Sequence, residues 1–290
     1  MMKNHVIHPF FDKETWTFSY VVYSPNDAHA LVIDSVLNFD QKSGRFHTHS
    51  ADEIIHFVKQ NNLIVDYILE THAHADHISA GYYLKQALGG QLVIGKTITG
   101  VQSVFKDIFN LGNEFIPNGS DFDILLNDKD CIQFGESICE AITVPGHTPA
   151  CLAYRIENCL FVGDTLFMPD VGTARCDFPG GDASSLYWSI QKLYSYPDDT
   201  LVYLCHDYPP QDRQHISYQT TIKEQKEKNI HVHTGVTEEQ FVELRSNRDK
   251  TLTLPNLIIP SIQINIRAGK YPTPESNGVS YLKTPINYFI

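Results

Sequence analysis

Residues 71–77 read Thr-His-Ala-His-Ala-Asp-His, and no other stretch restricts the fold of this chain so strongly. Three imidazoles (His72, His74, His77) and one carboxylate (Asp76) fall within six positions. They follow directly on Leu63-Ile64-Val65-Asp66-Tyr67-Ile68-Leu69, an apolar run that reads as a buried strand. A strand ending in H-x-H-x-D-H delivers several ligand-type side chains to one loop at a sheet edge. Packing four such groups there costs desolvation unless something compensates them. A metal does so directly, because zinc and Fe(II) accept neutral imidazole and ionised carboxylate. A lone histidine in that place would instead be a hydrogen-bonded structural group.

Three further apolar runs end in the same way. Ala141-Ile142-Thr143-Val144 leads to Pro145-Gly146-His147-Thr148-Pro149. Cys159-Leu160-Phe161-Val162 leads to Gly163-Asp164-Thr165, and Leu201-Val202-Tyr203-Leu204-Cys205 to His206-Asp207-Tyr208. Taken singly, each is an ordinary turn. Taken together, four strands hand a His or an Asp to the same edge of a sheet, which makes the chain a metalloenzyme.

Length and composition fit this reading. The 290 residues, 42% hydrophobic and 19% charged, are enough for a sizeable core without disulfide staples. A net charge of −12 argues against a nucleic-acid or anionic-membrane partner. An anionic substrate must therefore be drawn in by a metal or by specific arginines. The first residues show no apolar signal segment, and no run approaches 18 apolar residues. The six cysteines, none in a C-x-x-C pair, read as reduced buried thiols of a cytoplasmic protein. Cys176 reads as packing.

Strands are expected over Thr17–Tyr23, Ala30–Asp34, Leu92–Gly95, 138–144, 152–156, 159–162 and 200–205. Helices are expected from a capping box at Ser50–Glu53 to Gln60, over 78–88, 184–194, 220–228 and 237–248. Residues 97–129 read as a helix and a loop-rich insertion, and the tail after Gly269 as a surface wrap. Strands followed by helices, twice over, give an α/β (α+β) fold of two mixed sheets packed together with helices outside. One domain spans 1–290, with a catalytic core over about 15–210 and 211–290 completing it.

With T-H-x-H-x-D-H, G-H-T, G-D-T and H-D-Y in this order, the chain resembles the metallo-β-lactamase superfamily over roughly residues 15–210. The resemblance implies an αββα sandwich with the metal site at one edge. Arg175-Cys176-Asp177-Phe178, Gly181-Asp182 and His206-Asp207-Tyr208 look like the persulfide dioxygenase branch, which includes the bacterial β-lactamase hydrolase-like proteins. So do Leu254-Pro255, Ile259-Pro260 and Asn265-Ile266-Arg267-Ala268-Gly269. The basic C-terminal helix of glyoxalase II hydrolases is not found. Ala150 stands where Gly commonly follows G-H-T-P, and the 97–129 insertion is longer than in short members.

In that branch the G-H-T histidine, the first His of H-x-H-x-D-H and the G-D aspartate hold one Fe(II). Carried over, these are His147, His72 and Asp164, a set that leaves room for O2 and a persulfide together. His74, Asp76, His77 and His206 are then groups that orient ligands and water, with Asp76, His77, His206 and Tyr208 serving the catalytic step. They are also second-site candidates for a binuclear hydrolase with zinc, of which the protein would take one or two ions. The implied substrate is glutathione persulfide, and Arg175, Arg267 and Tyr208 are candidates for holding glutathione. Arg175 has an alternative role, pairing with Asp177. A homodimer is compatible with the sequence, which carries no signal for or against one.

Overall fold

Strands with apolar side chains on both faces belong in sheets covered on both sides. The computed structural model, which describes residues 5–288, is built around two such sheets. The first half of the chain contains β1 (Val6–Asp12), β2 (Thr17–Tyr23), β3 (His29–Ile33), β4 (Val36–Asp40), β5 (Arg45–His47), α1 (His49–Gln60), β6 (Ile64–Leu69), β7 (Ile78–Ser79), α2 (Gly81–Leu88), β8 (Gln91–Gly95), α3 (Ile98–Ile108) and β9 (Ile124–Leu126). The second half contains β10 (Cys131–Phe134), β11 (Ser137–Thr143), β12 (Leu152–Ile156), β13 (Cys159–Phe161), α4 (Ala183–Tyr194), β14 (Leu201–Tyr203), β15 (Gln219–Thr221), α5 (Ile222–Lys228), α6 (Glu238–Asp249) and α7 (Ile258–Asn265).

The first sheet has the order β1-β2-β3-β6-β8-β9, antiparallel from β1 to β3 and parallel from β3 onward. The second has the order β10-β11-β12-β13-β14-β15, antiparallel except for the β13–β14 pair. A small third sheet, β5-β4-β7, flanks the first.

Alternation along each strand sorts side chains between layers. Phe18, Tyr20, Leu31, Ile33 and Leu69 of the first sheet meet Phe134, Leu152, Tyr154 and Phe161 of the second in the central core. Val21, Val32 and Ile68 face outward, against Ile54 and Val58 of α1, Phe105 of α3 and Ile262 of α7. Ile142, Leu160 and Val202 face the other way, against Leu186 and Ile190 of α4 and Phe241 of α6. This is the αββα sandwich expected.

Local expectations fared unevenly. The Ser50–Glu53 capping box does not form: α1 opens at His49 with Thr48 at the N-cap position. The Ser50 hydroxyl instead donates to Asp12 Oδ1 at 2.9 Å, which ties the helix to β1. The helix expected from 78 starts at Gly81, because Ile78 and Ser79 pair with β4 as β7. The 97–129 stretch supplies α3 and also β9, the edge strand of the first sheet. The strands β1, β4, β5 and β10 and the helix α7 lie outside the expected elements, and the helix expected from Thr220 starts at Ile222, because residues 219–221 pair with β14 as β15. No two cysteines pair among the described residues, but Cys131 is exposed and Cys159 only partly covered. No helix among the described residues is long and apolar enough to cross a membrane.

Candidate metal centre

The expected convergence occurs, but between the two sheets and not at the edge of one. The loop after β6, a central strand of the first sheet, brings His72, His74, Asp76 and His77. Strands β11, β13 and β14 of the second sheet lead to His147, Asp164 and His206. Ligand-type atoms of His72, His147 and Asp164 lie within 4.8 Å of one another, and so do those of His74, Asp76, His77 and His206. Asp164 joins the groups: its Oδ2 is 3.8 Å from His72 Nε2 and 3.7 Å from His147 Nε2, and its Oδ1 is 3.4 Å from His206 Nε2.

Each imidazole is tethered through one nitrogen. His72 Nδ1 lies 3.0 Å from Thr71 Oγ1, whose own proton goes to Asp34 Oδ2. His74 Nε2 is 3.0 Å from Asp34 Oδ1 and 3.3 Å from Glu70 Oε2. His147 Nδ1 donates to the Arg175 carbonyl at 2.7 Å, and His206 Nδ1 to the Trp16 carbonyl at 3.1 Å. His77 Nδ1 sits 3.4 Å from Thr17 Oγ1. Such tethers select a tautomer and aim the opposite nitrogen.

The opposite atoms turn toward one another, with His206 Nε2 3.1 Å from Asp76 Oδ2. His72 Nε2, His74 Nδ1, Asp76 Oδ2, His77 Nε2, Asp164 Oδ1 and His206 Nε2 are buried without a hydrogen bond. Leaving so many polar atoms unsatisfied costs roughly 1–3 kcal/mol for each. A bound cation satisfies them together, so the donor set fits a metal. Burial pulls the His74 pKa down, but Asp34 and Glu70 outweigh it and hold the ring well above the usual histidine range. His72 is held well below that range by burial and by the neighbouring His74 and His147. Burial would raise the Asp76 pKa, yet His206 and His77 keep its carboxyl well below the usual range.

The backbone holds this geometry in place. Gly146 has φ +143°, and a Cβ there would lie 2.3 Å from the Leu186 Cα at the start of α4. Its carbonyl accepts from Asp182 N at 2.8 Å, which seats the turn that presents His147. From the other side, Asn265 of α7 donates to the carbonyls of His74 and His77, both at 2.8 Å, and accepts from Ser79 N. Asp34, Glu70 and Asn265 were not singled out from the sequence as site residues. Asp34 carried a usable signal, since the run Ala30–Asp34 also ends a strand in a carboxylate.

Residues 17–206 match the family model of the metallo-β-lactamase superfamily. The chain belongs to that superfamily. Its relatives include Glyoxylase B2 of Dictyostelium discoideum, 46% identical, with 97% of each chain covered. A β-lactamase hydrolase-like protein of Agrobacterium fabrum is also 46% identical; the match covers 97% of this chain and 64% of that one. The mitochondrial persulfide dioxygenase ETHE1 of Homo sapiens is 28% identical, over 91% of this chain and 89% of that one. The crystal structure of ETHE1 from Myxococcus xanthus superposes with a TM-score of 0.72 at 27% identity, covering 91% of this chain and all of that one.

In this metallo-β-lactamase-fold chain a cavity of about 440 Å³ opens over His147 and Asp164. Phe167, Val171, Ile230, Leu252 and Pro255 give it apolar walls, and Arg175, Arg248 and Tyr208 contribute polar groups. Tyr208 is 41% exposed and its ring stacks 5.6 Å from that of His206. Arg175 is engaged with Asp177, Nη2 to Oδ2 at 2.6 Å, and with the Thr253 carbonyl, so the bracing role weighed for it is observed. Arg267 lies elsewhere. Its guanidinium stacks on Phe115 at 4.5 Å, donates to the Gln263 carbonyl and lines a separate cavity with Glu114 and Lys283. That cavity shares no residue with the one over His147, so Arg267 does not join Arg175 and Tyr208 there.

Proposed function

We propose that this enzyme is a persulfide dioxygenase that holds one Fe(II) through His72, His147 and Asp164 and oxidises glutathione persulfide. The overall change is GSSH + O2 + H2O → GSH + SO3²⁻ + 2 H⁺. The carrying observation is the compact two-histidine, one-carboxylate group beside a mostly apolar cavity, of which His147 and Asp164 form part of the lining. Fe(II) in such a set supplies the redox chemistry by which O2 reacts with a sulfur anion. The likeness to the human persulfide dioxygenase over most of both chains supports the reading.

The protein's own groups have definable tasks. The Arg175 carbonyl accepts a hydrogen bond from His147 Nδ1–H and so leaves the Nε2 lone pair free for a metal. Phe167, Val171 and Leu252 exclude water from the sulfur. Arg248, with Tyr208, faces the carboxylates of the glutathione carrier. His74, Asp76, His77 and His206 order water beside the group.

A second reading rests on a specific observation. His74, Asp76, His77 and His206 are themselves a complete ligand group with free atoms, and relatives near 46% identity carry the names glyoxylase and hydrolase-like. In that case two metals, zinc among them, serve a thioester hydrolase acting on a substrate such as S-lactoylglutathione. Alanine variants separate the readings. For the dioxygenase, His72→Ala, His147→Ala and Asp164→Ala abolish both iron uptake and sulfite formation. Asp76→Ala and His77→Ala then retain one iron and lose only about 10–100-fold in rate. Equal loss in both sets, with two metals per wild-type chain, assigns the hydrolase.

A further inference from the structure

In the wall of the cavity, which Arg245 helps to line, lies a buried ion pair that the proposed reaction leaves unused. Arg245 of α6 is 1% exposed, and its Nη2 donates to Asp249 Oδ1 at 2.6 Å, one turn along the same helix. Both partners reach beyond the helix to the same short segment. Arg245 Nη1 donates to the Thr173 carbonyl at 2.9 Å, and Asp249 Oδ2 accepts from Cys176 N at 2.8 Å. His231 adds a third hold, with Nδ1 accepting from Thr173 N at 3.0 Å. Between the two clamped points sits Arg175, whose carbonyl is the acceptor for His147 Nδ1.

We propose that Arg245, locked by Asp249, is a positioning residue for His147: it fixes the 173–176 backbone so that the Arg175 carbonyl holds the ring with Nε2 toward Asp164. The path is continuous and short, from ion pair to segment to carbonyl to imidazole. Segment 173–176 has no strand or helix of its own to hold it. A planar guanidinium that serves a carboxylate and a carbonyl at once gives a direction that an apolar contact does not. α6 thereby serves two ends of one site, since Arg248, farther along the same helix, also lines the cavity. The inference rests on the reading of His72, His147 and Asp164 as a metal site, but not on which reaction that site performs.

The test uses the full chain and zinc or cobalt as probes, with affinity measured against a chromophoric chelator. Removing one partner of a buried pair leaves a lone charge and destabilises the fold, whereas replacing both with apolar residues is often neutral. The main variant is therefore Arg245→Met with Asp249→Leu. We expect it to fold, to bind metal about 10-fold more weakly, to show an altered cobalt visible spectrum, and to lose kcat with KM little changed. Arg245→Lys restores part of the affinity, and it carries the test by itself if the double variant does not fold. Wild-type affinity and an unchanged cobalt spectrum in a folded variant would overturn the proposal. So would a raised KM with unaltered metal binding, which would mean that Arg245 touches substrate. A wild-type chain that takes up no metal would instead remove the metal reading itself.

Discussion

The histidines of the centre are each held through one ring nitrogen, and most of the partners come from far along the chain. His74 leans on Asp34, His206 on the Trp16 carbonyl and His147 on the Arg175 carbonyl. The ligand-type residues were legible because each stands directly after an apolar run. The tethers were not, since a carbonyl 28 residues away from His147 leaves no mark in spacing. The same limit hid His231. It is buried beside Arg245 and Arg248, and burial first, then those two charges, push its pKa down to about 4. It is therefore neutral in the fold, with Nδ1 accepting from Thr173 N. The sign follows from linkage: the unfolded chain binds the proton more readily, so this contribution is whole above about pH 6.5 and is lost as pH falls toward 4. Urea unfolding between pH 7 and 4 is expected to show wild-type stability falling across that window. His231→Asn should flatten the fall; an unchanged slope would remove His231 as its source.

Strands were read well where they end in a ligand and poorly where pairing alone makes them. β6 and β13 announce themselves by apolar runs that lead to a ligand, interrupted in β6 by Asp66 alone. β7 has only two residues and exists because Ile78 and Ser79 meet β4, a partner some 40 positions earlier in the chain. α7 contains Pro260, a residue that breaks most helix interiors. It is tolerated at the third helical position, where the missing N–H would have had no intrahelical partner. That helix matters to the site, because Asn265 holds the backbone of His74, His77 and Ser79 in place. Asn265→Ala strips three backbone groups of their partner in a buried place. The expected loss is about 2–4 kcal/mol of stability, read as a clear drop in melting temperature, together with weaker metal uptake. A variant that melts and binds like wild type would contradict the anchoring role.

At the scale of the molecule, the sandwich places ligands from two sheets around one point, so neither half of the chain makes the centre alone. The first sheet gives the H-x-H-x-D-H loop, and the second gives His147, Asp164 and His206. The layered arrangement was legible because strand alternation and helix spacing both point to apolar faces on either side of each sheet. The joining of residues from both sheets was not, since spacing along a chain does not say which sheet a strand enters. The reaction depends on how this shared centre is loaded, and it separates the two readings cleanly. The measurement is oxygen uptake by anaerobically iron-loaded protein given glutathione persulfide, with sulfite quantified alongside. The account predicts one O2 consumed for each sulfite released, and no uptake by the zinc form. No uptake by the iron form, with cleavage of S-lactoylglutathione by the zinc form, would contradict it and make the protein a hydrolase.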